Sequence, residues 1–487
     1  EAAARAVPPA RRGSLGAMLW LELDRGVGLA TAQTTYKFDS LYNTLYKQGN
    51  FNGCVLVAEN GKPIYEKSFG YVDFNTKKLL TNQTLFELAS ISKQFTAMAI
   101  MQLHQAHKLD YEDDIKKYFP QIPYSGITIN NLLHHTSGIA EFLGWNEKQV
   151  DVNRVNYNKD ILSSIIKNAP PLIFKPGEKF SYSNTNYVLL ALIVEKTSKL
   201  SFKDYMNDFI FKPAGMTHTI IYGQRAAKKQ LKNYAIGNIY DPVKGRFVDN
   251  DGITANIYQY YFDGIAGPYG ISSNTEDMFK WDQVLYTDKL ISKQEQEFAY
   301  LPAKLTDGSI ASLTGIPYGF GWLLMGESGF AGKQYLHTGG YPGYMTIIAR
   351  YPDKNKVIII LTNIWNVVDM YQLRNETQNI LFKMPFKIPQ AKPFQKSVAL
   401  NPVQLKAVEG TYSLIAAHSL KLDITTDAGQ AYAQLTGQIR VEIYPESELN
   451  FFYTLVAAKI KFTKESDGTI KKLTLLQNGN ELVATKE

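Results

Sequence analysis

Apolar and polar positions along the chain predict a mixed α and β fold. A helix is expected over 38–48, followed by an apolar strand over 53–59, a turn at Asn60-Gly61 and a second strand over 63–70, together a hairpin. Past Ser90, the series Phe95, Met98, Ile100, Met101 and Leu103 runs without Pro or Gly and predicts a helix. A short helix over 110–119 is stopped by Pro120, and another over 127–139 ends in a Gly138 turn. Residues 140–175 read as a loop-rich insertion carrying a helix over 160–167. Pro170-Pro171 and Pro176-Gly177 then announce a loop that delivers Tyr182 to a helix over 188–197. Long Tyr-rich loops over 238–261 precede a helix over 275–285. Strands are expected from Tyr318 to Trp322 onward, over 335–344, 345–351 and 356–363, with Pro352–Asn355 as a turn. A helix over 370–382 packs on that meander.

Pro385, Pro389, Pro393 and Pro402 mark a linker. Beyond it lie short strand-like runs with turns at Asp427-Ala428-Gly429, Asp467-Gly468 and Asn478-Gly479, and Lys459–Thr463 alternates polar with apolar. This predicts a small all-β barrel or sandwich. Residues 1–33 read differently: Met18–Leu21 is apolar but is cut short by Glu22, Asp24 and Arg25, as in a remodelled leader that replaced a natural signal. The expected organisation is a leader over 1–33, an α+β domain over 34–388 and a β domain over 389–487. No run reaches the roughly 18 consecutive apolar residues of a membrane span.

Composition narrows the function. With 487 residues, 45% hydrophobic and 20% charged, the chain has the make-up of a globular protein of several domains. Its net charge of +7 is scattered, which disfavours nucleic acid as a partner. The lone Cys54 sits in an apolar strand, so no internal disulfide and no paired thiolate site is expected. His134-His135 is the one adjacent histidine pair and reads as structural; without an HExxH-like pattern, neither metal nor cofactor is expected.

Candidate chemistry begins at Ser90-x-x-Lys93. Three positions along a helix is almost one turn, so both side chains share a face, and a desolvated amine there can activate a hydroxyl. Ser164 and Lys167 match the same spacing and read as ordinary helix surface. Tyr182-x-Asn184 at a loop–helix junction places a phenol beside an amide, although Ser183 or Asn184 can equally be a helix cap with Tyr182 packing. His337-Thr338-Gly339 lies in a strand whose glycines permit close backbone approach.

In this order and spacing, the three elements resemble the serine β-lactamase and DD-peptidase superfamily, in its class C β-lactamase-like branch of esterases and peptidases. Leu132–Ile139, Lys175-Pro176-Gly177 and Tyr318–Trp322 support the resemblance, which covers residues 36–385. It implies a β-lactamase-like α+β domain, an antiparallel sheet flanked by helices with a helical region beside it, and a lipocalin-like accessory β domain after it. It further implies Ser90 as acylated nucleophile, Lys93 and Tyr182 as proton relay, and the N–H groups of Ser90 and Gly340 as oxyanion hole. Asn184, His337, Thr338 and Gly339 would contact substrate. Many β-lactamases have Lys where His337 stands, and a mostly neutral imidazole there argues for esters or D-amino-acid-containing peptides over β-lactams. The alternatives are a class C-like β-lactamase or penicillin-binding DD-carboxypeptidase, and a non-catalytic envelope binding protein. The expected partner is a small-molecule or peptide acyl substrate, cell-wall peptides among them, met in the periplasm or outside the bacterial cell.

Overall fold

The structure is a computed structural model that describes residues 33–145, 147–228, 231–249, 261–365, 367–391, 394–415, 420–436, 438, 440–454, 456, 458–477 and 479–487. The leader expected over 1–33, the end of the 238–261 loop, Pro393 of the linker and Asn478 of the last turn fall outside these residues, except that residue 33 opens helix α1 over 33–47.

Six antiparallel strands form the central sheet: β1 (Gly53–Glu59), β2 (Lys62–Phe69), β3 (Leu323–Ser328), β4 (Gly332–Tyr341), β5 (Tyr344–Tyr351) and β6 (Lys356–Thr362). Their spatial order is β3-β4-β5-β6-β1-β2, so the N-terminal hairpin completes a C-terminal meander, with Val55 opposite Ile360. Side chains alternate across the sheet. Cys54, Leu56, Ile359 and Leu361 enter the core shared with the helical region, whereas Val55, Val57, Ile358 and Ile360 face the opposite core. That second core is closed by Phe38 and Leu41 of α1 and by Leu373 and Ile380 of α6 (Met370–Leu381). Burial on both faces explains why β1 and β6 read as continuous apolar runs.

On the other face, α2 (Ser92–Gln105), α3 (Asn158–Asn168), α4 (Asn184–Ser198) and α5 (Thr275–Val284) build the helical region. Helix α4 is buried along most of its length, with Tyr187 through Ile193 lodged in the core.

Several expectations need correction. Only a 3₁₀ turn, Ile115–Lys117, forms within 110–119, because Asp side chains capture the backbone N–H groups: Asp110 takes Glu112 N and Asp114 takes Lys116 N. The strand expected from Tyr318 starts at Leu323 instead. Gly321, at φ +75°, there wedges against the backbone of Lys93 and Gln94, where a Cβ would lie 2.8 Å from Gln94 N and 2.9 Å from the Lys93 carbonyl carbon. The Tyr-rich loop contains a hairpin, Asn238–Asp241 with Arg246–Asp249, whose turn is tied by Asp241 Oδ1 accepting from Val243 N and Lys244 N.

The C-terminal domain is a closed eight-strand antiparallel barrel, β7 (Gly410–Leu414), β8 (Lys421–Asp427), β9 (Gln430–Leu435), β10 (Val441–Pro445), β11 (Asn450–Tyr453), β12 (Ala458–Lys464), β13 (Ile470–Gln477) and β14 (Asn480–Lys486). Pairing of Tyr412 with Lys486 closes it, and Tyr412, Phe451, Phe462 and Leu473 are buried in its core. Two adjacent residues tie the linker to both domains: Ser397 N donates to Pro242 O and Val398 N to Pro445 O. No helix among the described residues is long and apolar enough to cross a membrane.

Candidate active site

Ser90 sits in a 3₁₀ turn, Ala89–Ile91, that runs directly into α2. The turn is held from below by a buried carboxylate: Glu87 Oε1 accepts from Ala89 N at 2.9 Å and from Gly270 N at 3.0 Å. Ala89 takes a left-handed backbone, φ +51°, immediately before Ser90. Such a conformation costs an alanine of order 1–3 kcal/mol and persists only where the surroundings enforce it. Strand β4 passes beside the turn because Gly339 has no side chain. A Cβ there would lie 2.1 Å from Leu88 O, and Thr346 of β5 fixes that carbonyl with a 2.9 Å hydrogen bond.

One turn into the helix, Lys93 is wholly buried. Its Nζ lies 3.1 Å from Ser90 Oγ, 2.7 Å from Asn184 Oδ1 and 3.0 Å from Pro268 O. Burial pulls its pKa down to about 7, partly opposed by the nearby Glu141 carboxylate. A neutral amine has two N–H groups and one lone pair. The carbonyl oxygens of Asn184 and Pro268 accept only, so they take the N–H groups and leave the lone pair facing the Ser90 hydroxyl.

Tyr182 completes the cluster. Its ring lies 4.7 Å from Lys93 Nζ, and its hydroxyl is buried without a hydrogen-bond partner of regular geometry. Burial raises its pKa well above that of an ordinary phenol, although proximity to Ser90 and Tyr318 works slightly the other way. The capping alternative fails here. Ser183 occupies the N-cap of α4 but its side chain makes no capping bond, and the Asn184 side chain is engaged by Lys93 and Glu141.

The sheet side of the cluster is His337, Thr338, Gly339 and Gly340 on β4. His337 is buried, with Nδ1 2.6 Å from Thr338 O and Nε2 3.0 Å from Tyr318 Oη. The carbonyl can only accept, so Nδ1 carries the proton and Nε2 accepts from the tyrosine. Burial and the neighbouring Lys93 lower the pKa of His337 to about 3, so the ring is neutral. Gly340 is exposed at the end of β4, beside the Trp365 ring. His134 and His135 are buried: His135 accepts from Ser183 N and packs 4.3 Å from the Tyr182 ring.

Glu141 has no counterpart in the sequence motifs. Its Oε2 accepts from both Asn184 N, at 2.7 Å, and Asn184 Nδ2, at 2.9 Å, which turns Asn184 Oδ1 toward Lys93. Nothing in its spacing announces this, because 43 residues separate it from its partner. The Pro268 carbonyl is equally invisible to a motif search, since any residue supplies one.

Comparison with known proteins bears on the whole arrangement. The family model described as Beta-lactamase matches residues 38–379. The chain is 37% identical over 448 residues to penicillin-binding protein 4* of Bacillus subtilis, covering 92% of this chain and 97% of that one. A solved penicillin-binding protein from Bacillus halodurans is 26% identical with a TM-score of 0.57, over 66% of this chain and 94% of its own. The octameric penicillin-binding protein homologue from Pyrococcus abyssi, 22% identical with a TM-score of 0.59, aligns with 92% of this chain and 99% of its own, so the likeness in fold extends beyond the catalytic domain. The chain belongs to the β-lactamase family and is a serine hydrolase of the β-lactamase and penicillin-binding-protein type.

Proposed function

We propose that Ser90 is the acylated nucleophile of a hydrolase acting on esters or on D-amino-acid-containing peptides and amides. The observation that carries this reading is the buried Lys93 amine, 3.1 Å from Ser90 Oγ and satisfied on its other side by two carbonyls. Ser90 attacks the acyl carbonyl while its proton passes to Lys93. The N–H groups of Ser90 and Gly340 receive the oxyanion, and losing such a donor typically costs about 3 kcal/mol. Tyr182, whose burial disfavours phenolate, acts as a neutral relay: it gives its own hydroxyl proton to the leaving group as it takes the serine's proton from Lys93, and then orients the deacylating water. Asn184 positions Lys93 and meets the acyl side chain, and Thr338 and Gly339 line the same strand. The neutral His337 braces Tyr318 instead of supplying a cation for a substrate carboxylate.

A second reading, a penicillin-binding DD-carboxypeptidase or class C-like β-lactamase, is favoured by the name of the Bacillus subtilis relative. Substrates of either kind go with a place in the periplasm or outside the cell. A panel of p-nitrophenyl acetate, a peptide ending in D-Ala-D-Ala and nitrocefin separates the readings. Ester or D-peptide kcat/KM is expected to exceed that of nitrocefin by at least about ten-fold. Nitrocefin as the best substrate would overturn the preference and make the β-lactamase reading the correct one.

A further inference from the structure

The catalytic domain, linker and barrel line an open cleft of about 570 Å³. Aromatic side chains stand on two sides of it, Tyr240, Trp365 and Phe394 on one and Phe452 and Tyr453 of β11 on the other, with the polar Gln477 and Asn480 also in its lining. An adjoining chamber of about 240 Å³ runs into the barrel between Leu422, Leu435, Val441 and Leu475, with Pro342 and Trp365 at its mouth. Both chambers share Trp365, Tyr453, Val456, Ala458 and Gln477 as walls. Cavities of this size at a domain junction or a barrel mouth are typical of small-ligand sites, and an eight-strand barrel has room for one small ligand.

Trp365 connects these chambers to the acyl-transfer machinery. Its Cη2 lies 3.4 Å from the point where a side chain at Gly340 would begin. Pro342, in the wall of the inner chamber, follows closely on the same segment. Trp365 is pinned by its backbone N–H, which donates to Asn238 O at 3.0 Å, while its indole Nε1 is buried and has no partner. Buried indole N–H groups usually find an acceptor, and this one has none among the described residues. The charged side chains on the walls, Lys459 and Glu481, are exposed at the outer rim.

We propose that the two chambers bind the aliphatic acyl chain of the substrate, so that the barrel serves as a specificity domain for medium-chain acyl esters or amides. The idea rests on the acyl-enzyme reading: a carbonyl held by Gly340 N–H stands beside the Trp365 wall, and its chain has an apolar route into the junction. The inner chamber is walled mostly by aliphatic side chains, Leu422, Leu435, Val441 and Leu475 among them, with Gln438 and Gln477 as its polar members.

Two measurements on the full chain test it. Calorimetric titration with octanoate should show saturable one-to-one binding, weakened at least ten-fold by Val456→Trp, which fills the shared wall. The ratio of kcat/KM for p-nitrophenyl octanoate to that for p-nitrophenyl acetate should exceed one and fall at least ten-fold in the same variant. No octanoate binding to the wild-type protein, or a ratio that Val456→Trp leaves unchanged, overturns the proposal. If neither ester is turned over, the acyl-enzyme reading fails, and octanoate titration alone still decides whether the chambers take an acyl chain.

Discussion

A lysine deprived of water is the chemical centre of the account. Its neutral form accumulates as pH rises through about 7, because burial lowers its pKa to that value. The expected acid limb of kcat/KM therefore rises with pH and has its midpoint near 7, as a pH–rate profile will show. Glu141 works against the burial, since its negative charge favours the ammonium form. Glu141→Gln keeps an oxygen for the two Asn184 N–H groups but removes that charge, so the acid limb should move to lower pH. A move to higher pH would mean that Glu141 acts on Lys93 in some other way. Tyr182→Phe keeps the ring over Lys93 and loses only the hydroxyl, with turnover expected to drop about 10²–10⁴-fold while the fold is retained. Ser90, Lys93, Tyr182 and Asn184 were legible because each lies within a short motif whose spacing survives in the fold. Glu141 and Pro268 were not, because what makes them partners of Asn184 and Lys93 is tertiary proximity alone.

At the scale of elements, the site depends on how closely β4 approaches the turn that carries Ser90. Gly339 makes that approach possible, and a side chain there meets Leu88 O and Thr346 Oγ1 at 2.1 and 2.2 Å. Gly339→Ala should push β4 away from Ser90, costing about 1–3 kcal/mol of stability and lowering turnover more than any change remote from the strand. Thermal unfolding and ester hydrolysis on the same sample check both. A variant of normal stability and activity would show that the strand has room to spare. Strands buried on both faces, β1 and β6, were plain from their apolar runs. The segment from Tyr318 to Trp322 reads as strand by composition, yet Gly321 wedges against Lys93 and Gln94 and Gly319 against the Ala299 carbonyl instead of joining a ladder. The 110–119 stretch has helix-forming residues, but its aspartates offered the backbone a competing set of bonds.

The whole molecule has cores on both faces of the six-stranded sheet and a separate one inside the barrel. The sequence did not choose between barrel and sandwich, because alternating strands suit both and closure depends on β7 meeting β14 at the far end of the domain. Phe451 is fully buried in the barrel, outside both chambers. Phe451→Ala should cost about 3–5 kcal/mol and lower a barrel transition in calorimetry while leaving that of the catalytic domain in place. A shift of every transition together would show that the domains unfold as one unit. The most direct test of the central claim, an activated serine at position 90, is intact-mass spectrometry after incubation with a fluorophosphonate. The wild-type protein should gain a single adduct, and folded Ser90→Ala should gain none. An adduct that persists in Ser90→Ala, or its absence from folded wild type, would contradict the assignment of Ser90 as nucleophile.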